Sequence, residues 1–151
     1  MHREIGAEVM VPAFLTLVGE TYQKLGRPED GLSVVAEALT VAQQSGQHYW
    51  EAEVHRMTGV LTLQAEESSR RDPSAESHFL RAIEIARRQR ARSLELRAAT
   101  NLGRLWADKG NVREAHALLS GIYSWFTEGF DTVDLREARA LLEELEGRAG
   151  R

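Results

Sequence analysis

Apolar residues recur every three to four positions along almost the whole chain, with polar residues filling the intervals. Between Val112 and Tyr123 the apolar set Val112, Ala115, Leu118, Leu119 and Ile122 follows i, i+3, i+4 spacing, the pattern of a helix with one packed face. No stretch alternates apolar and polar residues with a period of two, so strands are not expected. The periodic runs predict seven helices, near 10–25, 29–45, 48–67, 74–90, 93–109, 112–127 and 133–146. Pro12, Pro28 and Pro73 stand where helices are expected to begin, because proline's missing N–H has no intrahelical partner in the first turn. Gly26, Gly46 and Gly110 follow the ends of runs, where a left-handed residue closes the last turn. The short connections make successive helices antiparallel neighbours.

The helices also repeat in pairs. Leu15, Val18-Gly19, Tyr22, Gly26, Gly31, Val35 and Ala38 match, offset for offset, Ala99, Leu102-Gly103, Trp106, Gly110, Ala115, Leu119 and Ile122. The middle pair contributes Gly59, Ala75, Phe79 and Ala82 in register, while His55, Thr58 and Thr62 replace the expected large residues and a polar turn, QAEESSRRDPS, separates its helices. Its core face is better written Trp50, Val54, Met57 and Leu61. Small residues at Gly19, Gly59 and Gly103 are expected to let paired helices approach closely, with Tyr22, Phe79 and Trp106 filling the space between pairs. The predicted organisation is an N-terminal segment over 1–9 and one repeat domain over 10–146, built of repeats near 12–46, 48–90 and 93–127 and a capping helix over 133–146. A disordered tail is expected over 147–151.

In WFTEGFDTVDL, Trp125 and Phe126 are expected to end the sixth helix and Gly129 to turn the chain, with Asp131, Thr132 or Asp134 capping the next; Asp134 and Glu137 have capping-box spacing. Leu135, Ala138, Leu142 and Leu145 then form one apolar stripe, and Arg136, Glu137, Arg139, Glu143 and Glu144 stay outside. The aromatic residues are read as a seam between the last repeat and its cap.

Composition narrows the chemistry. A chain of 151 residues fits one domain, and without cysteine it has neither disulfides nor thiolate metal sites. A formal charge of -4 gives no overall attraction to nucleic acid or to an anionic membrane. The first residues lack the apolar core of a signal peptide, and no run approaches a membrane span, so a cytoplasmic protein is expected. Arg87, Arg88, Arg90 and Arg92 form the densest basic run; lacking interleaved aromatics, it is read as helix-terminal charge rather than a nucleic-acid site. His48, Glu51 and His55 share a helix face, but a metal would need a further ligand, and His78 and His116 have no sequence-local partner. No metal, cofactor or catalytic residue is assigned; a small His- or metal-dependent enzyme and a helical-repeat nucleic-acid binder are the competing readings.

The repeated offsets resemble the tetratricopeptide pattern over nearly the whole chain, with intervals between the key glycines longer than the usual spacing of about 34 residues. More narrowly, GRPEDGLSVVAEAL, SLELRAATNLGRLWADKGNVREAHALL and YSWFTEGFDTVDLREARALLEEL resemble the C-terminal helical-repeat region of bacterial cyclase- and NTPase-type or LuxR-type signalling regulators. The resemblance implies an all-α superhelix of three helix pairs plus a cap, serving as a non-catalytic docking or sensing scaffold with a protein or peptide partner. No glycine-rich phosphate loop and no cyclase metal-carboxylate motif is present to carry over. The family's concave groove, carried to this chain, implies Thr16, Glu20, Gln23, Lys24, Glu53, Arg56, Gln64, Arg97, Thr100, Arg104 and Asp108 as groove residues, with Arg56, Arg97 and Arg104 meeting carboxylate or phosphate. A solvated face with an Arg104–Asp108 pair is the alternative. On the first helix Met10, Val11, Phe14, Leu15, Leu17, Val18, Tyr22 and Leu25 span roughly 160° of arc, wider than the roughly 100° stripe of a surface helix. That face is expected to meet upstream repeats or a second copy of the chain.

Overall fold

The computed structural model describes residues 5–46, 48–65 and 74–150, with side chains from residue 13 onward in the first of these segments and from residue 75 onward in the last. The described residues form seven helices and no strand: α1 (Ile5–Lys24), α2 (Pro28–Ser45), α3 (Glu51–Ala65), α4 (Ser74–Gln89), α5 (Arg92–Asp108), α6 (Val112–Tyr123) and α7 (Val133–Ala149). Pro28 opens α2 as expected, whereas Pro73 lies outside the described residues. Pro12 does not begin a helix; α1 starts at Ile5 and runs through it. The residues directly before it, Val9, Met10 and Val11, include no glycine, proline or polar stop, so nothing ends the helix before the proline.

The chain divides into two compact units, Met1–Ala82 and Ile83–Arg151, with the boundary inside α4. In the first, α1 packs on α2 and α3, and α2 on α3. Val35 and Ala38 from α2 meet Val54, Met57 and Leu61 from α3 in a fully buried cluster, ringed by Leu15, Leu32, Leu39 and Val60. Each buried Val, Leu or Met side chain among them contributes roughly 1.5–3 kcal/mol. The helices approach so closely that side chains are excluded at specific points. A Cβ on Gly31 would lie 2.8 Å from Leu61 Cδ2 and 3.3 Å from the carbonyl oxygen of Gly19, and one on Gly19 would lie 2.8 Å from Val35 Cγ1. On α3, a Cβ on Gly59 would lie 2.6 Å from the ring of Phe79, itself buried.

The second unit repeats the plan, with α5 packed on α6 and α7 and α6 on α7. Leu96, Ala99 and Leu102 of α5, Ala115 and Leu119 of α6, and Ala138, Leu141 and Leu145 of α7 are buried. Here the expected close approach at Gly103 is absent: a Cβ would meet Leu141 Cδ2 at 3.6 Å, an ordinary contact. The α7 stripe is as predicted, with Leu141 added, and the charged residues expected outside are exposed. Both ends of α7 are tied to α5. Arg97 grips Asp134 through Nη2–Oδ2 at 2.9 Å and Nε–Oδ1 at 3.1 Å, and Arg148 Nη2 donates to the Ala107 carbonyl at 3.0 Å. The second tie carries the helix to Ala149, past the expected start of a disordered tail.

Two expectations for the aromatic stretch need correction. Helix α6 stops at Tyr123, so Trp125 and Phe126 lie beyond it, and Trp125 is 56% exposed rather than buried in a seam. Asp134 does not cap α7, because its carboxylate is engaged by Arg97; Thr132 occupies the cap position without a side-chain hydrogen bond.

Helices α1 and α5 end by one recipe. After α1, Arg27 N–H donates to the Tyr22 carbonyl at 2.9 Å and Gly26 N–H to that of Gln23 at 3.1 Å, with Gly26 at φ +71°. After α5, Asn111 and Gly110 repeat these bonds to Trp106 and Ala107, with Gly110 at φ +91°. Both are Schellman closures, which need a left-handed residue.

The glycines yield opposite expectations. Gly59→Ala should cost about 1–3 kcal/mol by forcing Phe79 aside. Gly103→Ala should be neutral or stabilising by up to about 1 kcal/mol, since alanine is the better helix former and the space exists. Urea denaturation of the two variants measures both signs.

Candidate functional site

The structure gives most of the predicted groove residues internal work. In the first unit Thr16 is buried, and the Gln23 carbonyl accepts a hydrogen bond from Gln64 Nε2 at 3.0 Å. Glu53 is only 4% exposed and is gripped by Arg56 through Nε. Glu20 and Lys24 form an exposed i, i+4 pair at 3.5 Å. In the second unit Arg97 holds Asp134, and Thr100 is buried with its hydroxyl donating to the Leu96 carbonyl at 2.8 Å. Arg104 and Asp108 are exposed and form no ion pair with each other among the described residues. Two of the three arginines expected to meet a ligand are therefore engaged by acids of their own unit, and Arg104 remains in solvent.

The histidines sort differently from their sequence spacing. His48 is exposed and its Nδ1 lies 3.0 Å from Glu51 Oε2, whereas His55 turns to stack on His78, ring centroids 5.8 Å apart. His116 Nε2 lies 3.2 Å from Glu146 Oε1. Among the described residues no three potential ligands come together as a metal site. Burial lowers the pKa of His55; His78 and Arg81 push it further down, and Glu51 opposes them. His78 is lowered by burial alone.

A cleft of about 680 Å³ opens in the second unit between the α4–α5 turn and the α6–α7 connection. The turn is built around Glu95, 1% exposed on α5. Its carboxylate accepts from Arg87 Nε at 2.7 Å and from Arg92 Nη1 at 3.3 Å. A buried carboxylate demands such partners, since an isolated charge out of water is strongly disfavoured. Arg87 and Arg88 occupy the last turn of α4, where the helix dipole favours cations. Arg92 opens α5, where the dipole does not, and Glu95 offsets that. The Arg92 guanidinium also lies over the Trp125 ring, 4.5 Å from its centroid, a cation–π contact.

Arg90 closes α4. Ala91 N–H donates to the Ala86 carbonyl at 2.9 Å and Arg90 N–H to that of Arg87 at 3.1 Å, the closure used after α1 and α5. The left-handed position that holds Gly26 and Gly110 there holds Arg90 here, at φ +56°. It is the only non-glycine with positive φ among the described residues. The Arg90 side chain is exposed, lines the cleft and has no ion-pair partner among the described residues. Phe126 and Leu135 add apolar surface, and Glu128 is the acid on the cleft wall. The basic run was visible in the sequence; its strained member and its aromatic partner, 33 residues from Arg92, were not.

No protein-family model matches the chain. An uncharacterized protein of Rhizobium meliloti (strain 1021) is 36% identical over 103 residues, 68% of this chain. The chain spans 10% of that relative's length.

The strain is testable. Arg90→Gly should raise stability by about 1 kcal/mol, because the left-handed cost for an L-residue exceeds the entropy glycine adds to the unfolded chain; thermal melting checks it. The histidine pair sets a pH dependence. With folded pKa values below the unfolded value near 6.5, the unfolded chain binds protons first, so stability is fully present above that value and declines as pH falls below it. His55→Gln with His78→Gln should flatten the decline measured by urea denaturation from about pH 7.5 to 5.

Proposed function

We propose that the chain is a non-catalytic protein-interaction scaffold, a tetratricopeptide-like module of a larger bacterial signalling protein that works in the cytoplasm. The observation that carries this is the packing scheme. In each unit the first helix touches both its own partner and the helix after it, α1 with α2 and α3, α5 with α6 and α7. Stacking of this kind is how helical repeats build a continuous core and an extended binding surface. The relative of which this chain spans a tenth is consistent with a module inside a long chain. Among the described residues no helix is long and apolar enough to cross a membrane.

Exposed first-helix positions supply the binding surface in this reading: Glu20 and Lys24 in one unit, Arg104 and Asp108 in the other. The exposed apolar side chains of Phe14, Leu17 and Leu25 supply a second contact, with upstream repeats or another copy. Met10 and Val11, part of the same predicted face, have side chains outside the described residues.

A random dodecapeptide display library selected on the immobilised whole chain tests the scaffold role. Peptides that bind saturably and compete with one another are expected, with helical circular dichroism retained. A folded chain that enriches no peptide over background overturns the role. Light scattering should show association that Leu17→Glu abolishes, and a strict monomer at high concentration would remove the α1 contact between copies.

A further inference from the structure

We propose that the cleft of the second unit binds a short acidic segment of a partner protein, with a carboxylate on Arg90 and an apolar side chain against Trp125 and Phe126. This rests on the scaffold role and names its ligand chemistry. Six observations converge on it. The cleft has the size of a binding site rather than a packing defect, about 680 Å³. Its two arginines are not equivalent: Arg92 is engaged by Glu95 and Trp125, whereas Arg90 has no anionic partner among the described residues. A guanidinium fork without an anion is matched to a carboxylate.

Trp125 is 56% exposed with one of its ring faces stacked by Arg92, so it offers apolar area already fixed in orientation. The connection beyond α6 is irregular, and the N–H groups of Thr127, Glu128 and Gly129 donate no hydrogen bond among the described residues. Such donors suit an extended peptide's carbonyls. Glu128 disfavours a ligand of high negative charge density, which argues for a mixed acidic and apolar segment over a nucleic-acid backbone. Finally, a glycine would serve the α4 closure as it does after α1 and α5, so an arginine held left-handed marks a position where the side chain serves something other than the fold.

The dodecapeptide library on the whole chain tests this. Recovered peptides should carry acids beside an aromatic residue or leucine. Fluorescence anisotropy with a labelled recovered peptide should show Arg90→Ala and Arg90→Gly weakening binding about tenfold or more, the scale of one lost charge-assisted hydrogen bond. Arg90→Lys should lose less, and Trp125→Ala should weaken binding separately. Arg90→Gly is decisive, since it is expected to melt higher while binding worse, an outcome that misfolding does not produce. Peptides without acids, or affinities that move less than about threefold on Arg90→Gly, overturn the cleft. If those peptides depend on Arg104→Glu instead, the scaffold role survives and the cleft fails; if no peptide is recovered, both fail. Tighter binding of a twelve-nucleotide oligothymidylate than of the peptide at the same salt concentration also overturns it.

Discussion

The second unit is organised around one buried carboxylate. Glu95 lies among apolar neighbours on α5, and its charge is met only because the chain turns tightly enough between α4 and α5 to bring Arg87 and Arg92 to its oxygens. That requirement sets the turn. It places Arg92 at the start of α5, over Trp125, and it leaves Ala91 and Arg90 to close α4 in two residues. The geometry of the cleft follows from where these arginines can stand. A hydrophobic residue at position 95 would pack as well, but Arg87 and Arg92 would then lose the carboxylate that holds them at this turn.

The first unit depends on closeness more than on charge. Its helices meet at Gly19, Gly31 and Gly59, where any Cβ would collide with Val35, Leu61 or Phe79. Its buried charge, Glu53, has a partner one helical turn away in Arg56. The two units thus share a packing scheme while differing in what enforces it.

Much of this was legible in the residues. The seven helices, the α7 stripe and the left-handed glycines after α1, α2 and α5 follow from periodicity and from the steric freedom of glycine. What failed did so for physical reasons. Arg97 and Asp134 read as ligand contact and helix cap because their pairing spans 37 residues of sequence, a distance that local spacing does not encode. Gly103 read like Gly59 because register is periodic, whereas the room beside each depends on the neighbour, Leu141 in one case and Phe79 in the other. His55 was grouped with His48 by helical spacing, yet the ring turns to His78. Arg90 was one basic residue among four; its left-handed backbone angle and the pairing of Arg87 and Arg92 with Glu95, which set it apart, are not written in the local sequence.

The unequal fates of Arg90 and Arg92 have a thermodynamic side. Arg92 is already held by Glu95 and Trp125 in the free protein, so a ligand touching it meets a partly preorganised surface and loses less entropy there. Arg90 is fixed at the backbone and free at the side chain, so ordering its long chain costs part of any contact it makes. One cleft therefore joins an arginine held by two partners to one held by none among the described residues. In the proposed complex, recognition at Arg92 and Trp125 is set by shape, while Arg90 can follow a carboxylate over several positions.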